Sequence, residues 1–238
     1  MWLVNFLRSE NFFHHYQPIV NLKTNNIEGY EALFRSHKFN NPERAYHSAI
    51  RKKKLFELDA NSIQKAVCTF LCDGPINQDK KLFINVYPST LLNLNFAPFI
   101  LQLINYYLIP HQQIVLEIFE NESIEDFSAL TNVLHQLKSM GLLIAVDDFG
   151  KGTDNINRTI EIDSDYIKLD RYFSIGLNGS KKKQAYVDFL VHYCARFNLK
   201  LIFEGLETER DIDCAKILGV QYAQGYAIGK PQPISQFM

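Results

Sequence analysis

The sequence predicts an α/β protein folded as a closed (β/α)8 barrel. Short apolar, β-branched runs alternate with longer amphipathic stretches, the pattern of a mostly parallel sheet with crossover helices. Eight strand candidates occur with no low-complexity linker or composition break between them, which favours closure over an open sheet. The 238 residues suit one domain of this kind with a well-buried core. That single domain is expected over residues 1–238, with 1–12 as a short lead-in.

The strand candidates are His15–Val20, Ile27–Phe34, Leu82–Val86, Ile114–Ile118, Leu142–Val146, Tyr166–Leu169, Lys200–Phe203 and Val220–Tyr222. Between them, Ala60–Leu71, Ile124–Lys138, Ala185–Phe197 and Glu209–Leu218 read as amphipathic helices. The last follows Thr208, a capping residue, and stops at Gly219. The regular pattern is weakest over 36–54 and 150–164, polar stretches placed where loops at strand ends belong.

Composition narrows the function. Apolar residues make up 47% and charged residues 21%, which argues against disorder, and a formal charge of −1 gives no global field for DNA or an anionic membrane. No apolar run is long enough to span a bilayer, and the N-terminal segment lacks the form of a signal peptide. The four cysteines, Cys68, Cys72, Cys194 and Cys214, have no zinc-like spacing and are expected as core thiols in a reducing cytoplasm. The basic runs Arg51–Lys54 and Lys181–Lys183 read as solvated faces, and His14-His15 as strand packing without a metal partner.

The polar groups carry the chemistry. Glu31 lies in the second strand, Asn85 near the end of the third and Glu117 at the matching place in the fourth. Asp147 and Asp148 follow the fifth, Lys168 and Asp170 close the sixth, Glu204 ends the seventh with Glu207 just after, and Gln224 follows the eighth. In a parallel barrel these ends meet at one mouth. Carboxylates crowded there repel one another unless protons or cations intervene, and one lysine cannot offset them. The set Glu31, Asn85, Glu117, Asp147, Asp148 and Glu204 is all oxygen, which favours Mg2+ or Mn2+. The adjacent aspartates suit two ions, the arrangement used for in-line attack on a phosphodiester. A Schiff-base role for Lys168 is disfavoured, because such neighbours keep it protonated.

These residues sit in strings that resemble the EAL-domain phosphodiesterases. Tyr30-Glu31-Ala32-Leu33-Phe34-Arg35 is similar to the EALxR signature, and YQPIV (16–20), FINV (83–86), LEIFE (116–120), DDFG (147–150), IKLD (167–170), EGLET (204–208) and QGY (224–226) occur with it in the family's order, spanning 16–233. The resemblance implies a modified TIM barrel with the first strand antiparallel. It implies hydrolysis of the cyclic dinucleotide c-di-GMP to linear 5′-pGpG with two Mg2+ or Mn2+ per site, in a homodimer. Glu31, Asn85, Glu117 and Asp147 would hold one ion, and Asp147, Asp148 and Glu204 the second. Glu204 would be the general base, with Lys168 orienting or activating water beside Asp148. Gln17, Arg35, Asp170 and Gln224 would contact substrate, Arg35 through the fork of its guanidinium. Glu120 would anchor the loop after DDFG, and Glu207 is a further acid of the set. An aromatic ring near Phe203 or Tyr226 would stack on guanine.

Two segments depart from the family. The loop usually reading DDFGTGYSSL is DDFGKGTDNINRTI here, from Asp147 to Ile160, and the run after Arg35 is replaced by ERAYHSAIRKKKLFELD. The first change could weaken the support of the second metal. Two further readings therefore stand beside the hydrolase: a receptor that binds c-di-GMP without cutting it, and a protein-interaction module. The second of these is disfavoured, since no metal-ligand position is lost.

Overall fold

The computed structural model describes residues 12–74, 79–119, 122, 126–150 and 155–237. The strands β1 (Phe12–Asn21), β2 (Ile27–Ser36), β3 (Lys81–Val86), β4 (Ile114–Ile118), β5 (Leu143–Phe149), β6 (Tyr166–Leu169), β7 (Lys200–Phe203) and β8 (Tyr222–Ala223) close a barrel in chain order. Pairing from β2 round to β8 is parallel, while β1 is antiparallel to both β2 and β8. The predicted fold class and reversed first strand are both present.

The helices are α1 (Pro42–Arg51), α2 (Leu55–Asp73), α3 (Pro88–Leu91), α4 (Phe96–Tyr107), α5 (Phe127–Ser139), α6 (Asn155–Glu161), α7 (Lys181–Arg196) and α8 (Glu209–Ile217). Helix α8 starts as expected: Thr208 and Asp211 form a reciprocal capping box. Helices α1 and α6 fall in the stretches whose pattern was weakest. In α1 the start signal is local, since the Asn41 side chain accepts the Glu43 N–H and Pro42 occupies the first turn.

One apolar layer fills the barrel: Ile19, Phe83, Val115, Ala145, Tyr166, Ile202 and Tyr222, all buried. Two larger clusters lie between the strands and the surrounding helices. Cys194 and Cys214 are buried as expected, whereas Cys72 is exposed on α2 and Cys68 is half-buried. Their helix is amphipathic, and residue 72 falls on its wet side. Among the described residues no helix is long and apolar enough to cross a membrane.

Candidate active site

The apolar layer is the floor of the site. Side chains two apart on a strand share a face, so each floor residue places a polar group directly above it. Phe83 is followed by Asn85, Val115 by Glu117, Ala145 by Asp147, Tyr166 by Lys168, Ile202 by Glu204 and Tyr222 by Gln224. Strand β1 runs the other way, so its contribution lies two residues before Ile19, at Gln17, which stands in register with Glu31 of β2. The result is a cup of about 260 Å³ lined by Gln17, Glu31, Asp147, Asp148, Lys168, Arg171, Glu204, Glu207, Gln224 and Tyr226, with Gly205 and Gly225.

Asp147 and Asp148 both face this cup because β5 is irregular there. Val146 pairs with Ile167 and Phe149 with Leu169, so two aspartates stand opposite the single residue Lys168. Such a bulge re-aims side chains that would otherwise alternate. Asp148 takes a left-handed backbone, φ 51°, a conformation costly outside glycine and concentrated at functional positions. One oxygen each of Asp147, Asp148 and Glu204 lies within 4.8 Å of the others.

Lys168 stands at the centre. Its Nζ is 2.8 Å from Glu117 Oε1, 2.9 Å from Glu204 Oε1, 3.1 Å from Asp147 Oδ1 and 3.3 Å from Glu31 Oε2, with 1% of its side chain exposed. Burial alone would lower its pKa, but the surrounding carboxylates win and hold it well above the usual lysine range. Burial raises Glu117 well above, and Asp147 above, their ordinary values, with neighbouring carboxylates adding to it, and burial pushes Glu204 up to about 8. Glu31 goes the other way. Burial would raise it, yet Lys168 and hydrogen bonds from Gln224 (2.7 Å) and Asn85 (3.2 Å) keep it ionised below the usual range. Gln224 also donates to Gln17 Oε1 at 3.1 Å, and Gln17 donates to the Gly229 carbonyl at 2.9 Å, which fixes the closing side of the barrel. Gly225 is required beside it, since a Cβ would sit 2.2 Å from the Leu206 carbonyl oxygen.

This constellation can be compared with known proteins. The family model described as the EAL domain matches residues 2–231. The chain belongs to the EAL-domain family. Its curated relatives include the cyclic di-GMP phosphodiesterase PdeB of Shewanella oneidensis, 30% identical over 82% of this chain and 23% of the relative. The first curated relatives it matches are longer, and the chain spans less than half of each. Among solved structures, the PaMucR phosphodiesterase in complex with c-di-GMP is 25% identical with a TM-score of 0.85, covering 99% of this chain and 98% of that one. A calcium and c-di-GMP complex of BlrP1 from Klebsiella pneumoniae is 25% identical with a TM-score of 0.83, covering 94% of this chain and 56% of that one.

The cup of this EAL domain fits divalent cations. Glu117 Oε1 and Asp147 Oδ1 are buried, and the cation that meets both is Lys168, at 2.8 and 3.1 Å. Asn85 donates its NH2 to Glu31 and Glu117 at 3.2 Å each, so an ion held by it would need the amide turned to present its oxygen.

Most of the predicted residues come together here. Arg35 is the neighbour rather than a member: it lines an adjoining, mainly apolar cavity with Asn85, Tyr46, Tyr87 and Phe119, and its Nη1 donates to the Phe34 carbonyl at 2.8 Å. Asp170 does not line the cup. It is buried and accepts the Tyr172 N–H at 2.7 Å, shaping the turn after β6. Phe203 lies in the core at 0% exposure and cannot stack on a base, whereas Tyr226 is exposed at the rim. Glu120, and Lys151 to Asp154 of the divergent loop, lie outside the described residues. Sequence reasoning missed Arg171 and Ser174. Both follow IKLD, where position beside a strand end was the available signal.

Proposed function

We propose that this EAL domain is a metal-dependent phosphodiesterase that hydrolyses c-di-GMP to linear 5′-pGpG. The observation that carries the proposal is the clustering of Asp147, Asp148 and Glu204 oxygens within 4.8 Å, beside the buried carboxylates of Glu31 and Glu117 that share the cation Lys168. Relatives named cyclic di-GMP phosphodiesterases and similar structures holding c-di-GMP support the choice of substrate.

Glu31, Asn85, Glu117 and Asp147 would hold one Mg2+ or Mn2+, and Asp147, Asp148 and Glu204 a second. Bound there, such ions would lower the pKa of water and take up charge on the leaving oxygen. Everything else falls to the chain's own side chains. Lys168, locked in its protonated form, cannot serve as a base and instead orients an oxygen nucleophile by donating to it. Glu204 is the general base: in the metal-free cup burial raises it to about 8, and cations beside it would return it to the ionised form that accepts a proton. One water is consumed, the P–O3′ bond breaks, and the departing 3′ oxygen takes a proton. Gln17 and Gln224 would position the sugar-phosphate frame, and Tyr226 offers a ring for base stacking.

A homodimer and a cytoplasmic setting complete this reading. Support for the first is the row of rings on α7 and at its C-terminal end, with Phe189 59% and Phe197 58% exposed. The free cysteines suit the second.

The deciding test is incubation with c-di-GMP and Mg2+ or Mn2+, with and without chelator, resolving nucleotides by chromatography. Chelator-sensitive pGpG is the expected result. Intact c-di-GMP with measurable binding would replace the enzyme by a receptor, and no binding at all would leave an interaction module.

A further inference from the structure

A dinucleotide carries two phosphate charges into a cup lined by five carboxylates, and a side-chain cation beside the proposed metal ions would help to hold them. Among the described residues lining the cup, Lys168 and Arg171 are the cationic ones. Lys168 is enclosed by four carboxylates with 1% of its side chain exposed, so its charge is already met within the protein and a phosphate group cannot pack against it. Arg171 differs. Its side chain is 63% exposed and its Nη2 is 3.3 Å from Glu207 Oε1, itself 52% exposed. An exposed pair of this kind is worth little, so the guanidinium is cheaply exchanged.

The backbone that presents Arg171 is, by contrast, tightly built. Asp170 Oδ1 caps the turn at the Tyr172 N–H. Ser174, 1% exposed, places its hydroxyl 2.9 Å from the Arg171 carbonyl and 2.7 Å from that of Gly205, stapling the loop after β6 to the loop after β7. Gly205 has φ 71°, and a Cβ there would lie 2.4 Å from Arg171 Cβ. The loop after β7 therefore has glycine where Arg171 crosses it. A fixed base carrying a loosely held guanidinium is the arrangement of a ligand-binding arginine rather than of a structural ion pair.

We propose that Arg171 is a phosphate-binding residue of this site, exchanging Glu207 for a phosphate oxygen of the dinucleotide. The inference rests on the function proposed above. Its ligand is either an internal phosphodiester or the terminal phosphate of the linear product, and both offer the same bidentate oxygens.

The test uses the full chain and the variants R171Q, R171K and E207Q. Equilibrium titrations in Ca2+ follow c-di-GMP and, separately, pGpG; hydrolysis in Mn2+ gives KM and kcat. R171Q is expected to weaken c-di-GMP binding and raise KM by about tenfold, the worth of a charge-assisted contact. Its kcat should change far less, and its Mn2+ affinity not at all, which separates ligand binding from disturbance of the metal residues. R171K should lie between, and E207Q should bind c-di-GMP more tightly. Equal losses for both nucleotides assign the internal phosphodiester, and a larger loss for pGpG the terminal phosphate. An R171Q protein within about twofold of wild type for both nucleotides overturns the proposal. If wild type neither binds nor cuts c-di-GMP, the function on which it rests fails instead.

Discussion

Glu117 Oε1 lies 2.8 Å from Lys168 Nζ, and neither side chain meets solvent, at 0% and 1% exposure. Removing one member of such a pair strands the other charge in the core. Lys168→Met should therefore cost the metal-free protein about 3–5 kcal/mol in denaturant unfolding. Saturating Mn2+ should recover part of that loss, because the carboxylates regain a cation. Equal stability of wild type and variant in chelator would show that the four carboxylates already share protons.

Glu31 is held by Gln224 and Asn85 in the ionised form. Glu31→Ala should abolish chelator-sensitive hydrolysis, with a loss of at least about a hundredfold, while circular dichroism stays that of a folded barrel. Wild-type turnover in this variant would contradict the assignment of Glu31 to the metal.

Asp59 on α2 is fully buried, its Oδ2 accepting the Tyr87 N–H at 3.2 Å just beyond Asn85. Burial raises it from 3.8 to about 7, with Glu122 adding to the shift and bonds from Thr90, Tyr87 and Tyr46 opposing it. The folded state thus holds this proton more tightly than the unfolded chain. Its contribution to stability is full below about pH 4 and is lost as pH rises to about 7, by up to roughly 4 kcal/mol. Asp59→Asn should flatten that decline when unfolding is followed across the same range. His14, lowered to about 3 chiefly by burial, has the opposite sign, favouring the fold as pH rises from about 3 toward 6.5. A wild-type pH profile that Asp59→Asn leaves unchanged would remove Asp59 as its source.

Replacing Lys151–Asn155 by the family's Thr-Gly-Tyr-Ser-Ser should raise turnover or lower the Mn2+ concentration needed for half-maximal rate. Assays at several Mn2+ concentrations would read both, and no change in either would show the departure to be benign.

Much of the cup is written in the sequence because strand periodicity carries it. Once Phe83, Val115, Ala145, Tyr166 and Ile202 are read as a floor, the residues two further on are the site. What periodicity cannot carry stayed hidden. It would put Asp148 on the face opposite Asp147, and only the bulge and the left-handed backbone bring the two together. Arg171 lies beyond the last residue of β6, where the turn capped by Asp170 decides its direction. Asp170, which the resemblance implies as a substrate contact, accepts the Tyr172 N–H through Oδ1, a turn contact that strand periodicity does not reveal. Helix α1 was obscured by its charge-rich run, although Asn41 and Pro42 mark its start.

The reversed course of β1 has an architectural consequence. Phe12 pairs with Ser36, the last residue of β2, so the polypeptide enters the barrel at its open, polar rim. In a barrel with eight parallel strands the first strand would begin at the opposite end. Here Phe12 stands at the threshold of the cup, five residues before Gln17 on the same strand. Between Phe12 and the Gln17–Gln224–Glu31 hydrogen-bond chain there is one stretch of strand and no intervening layer.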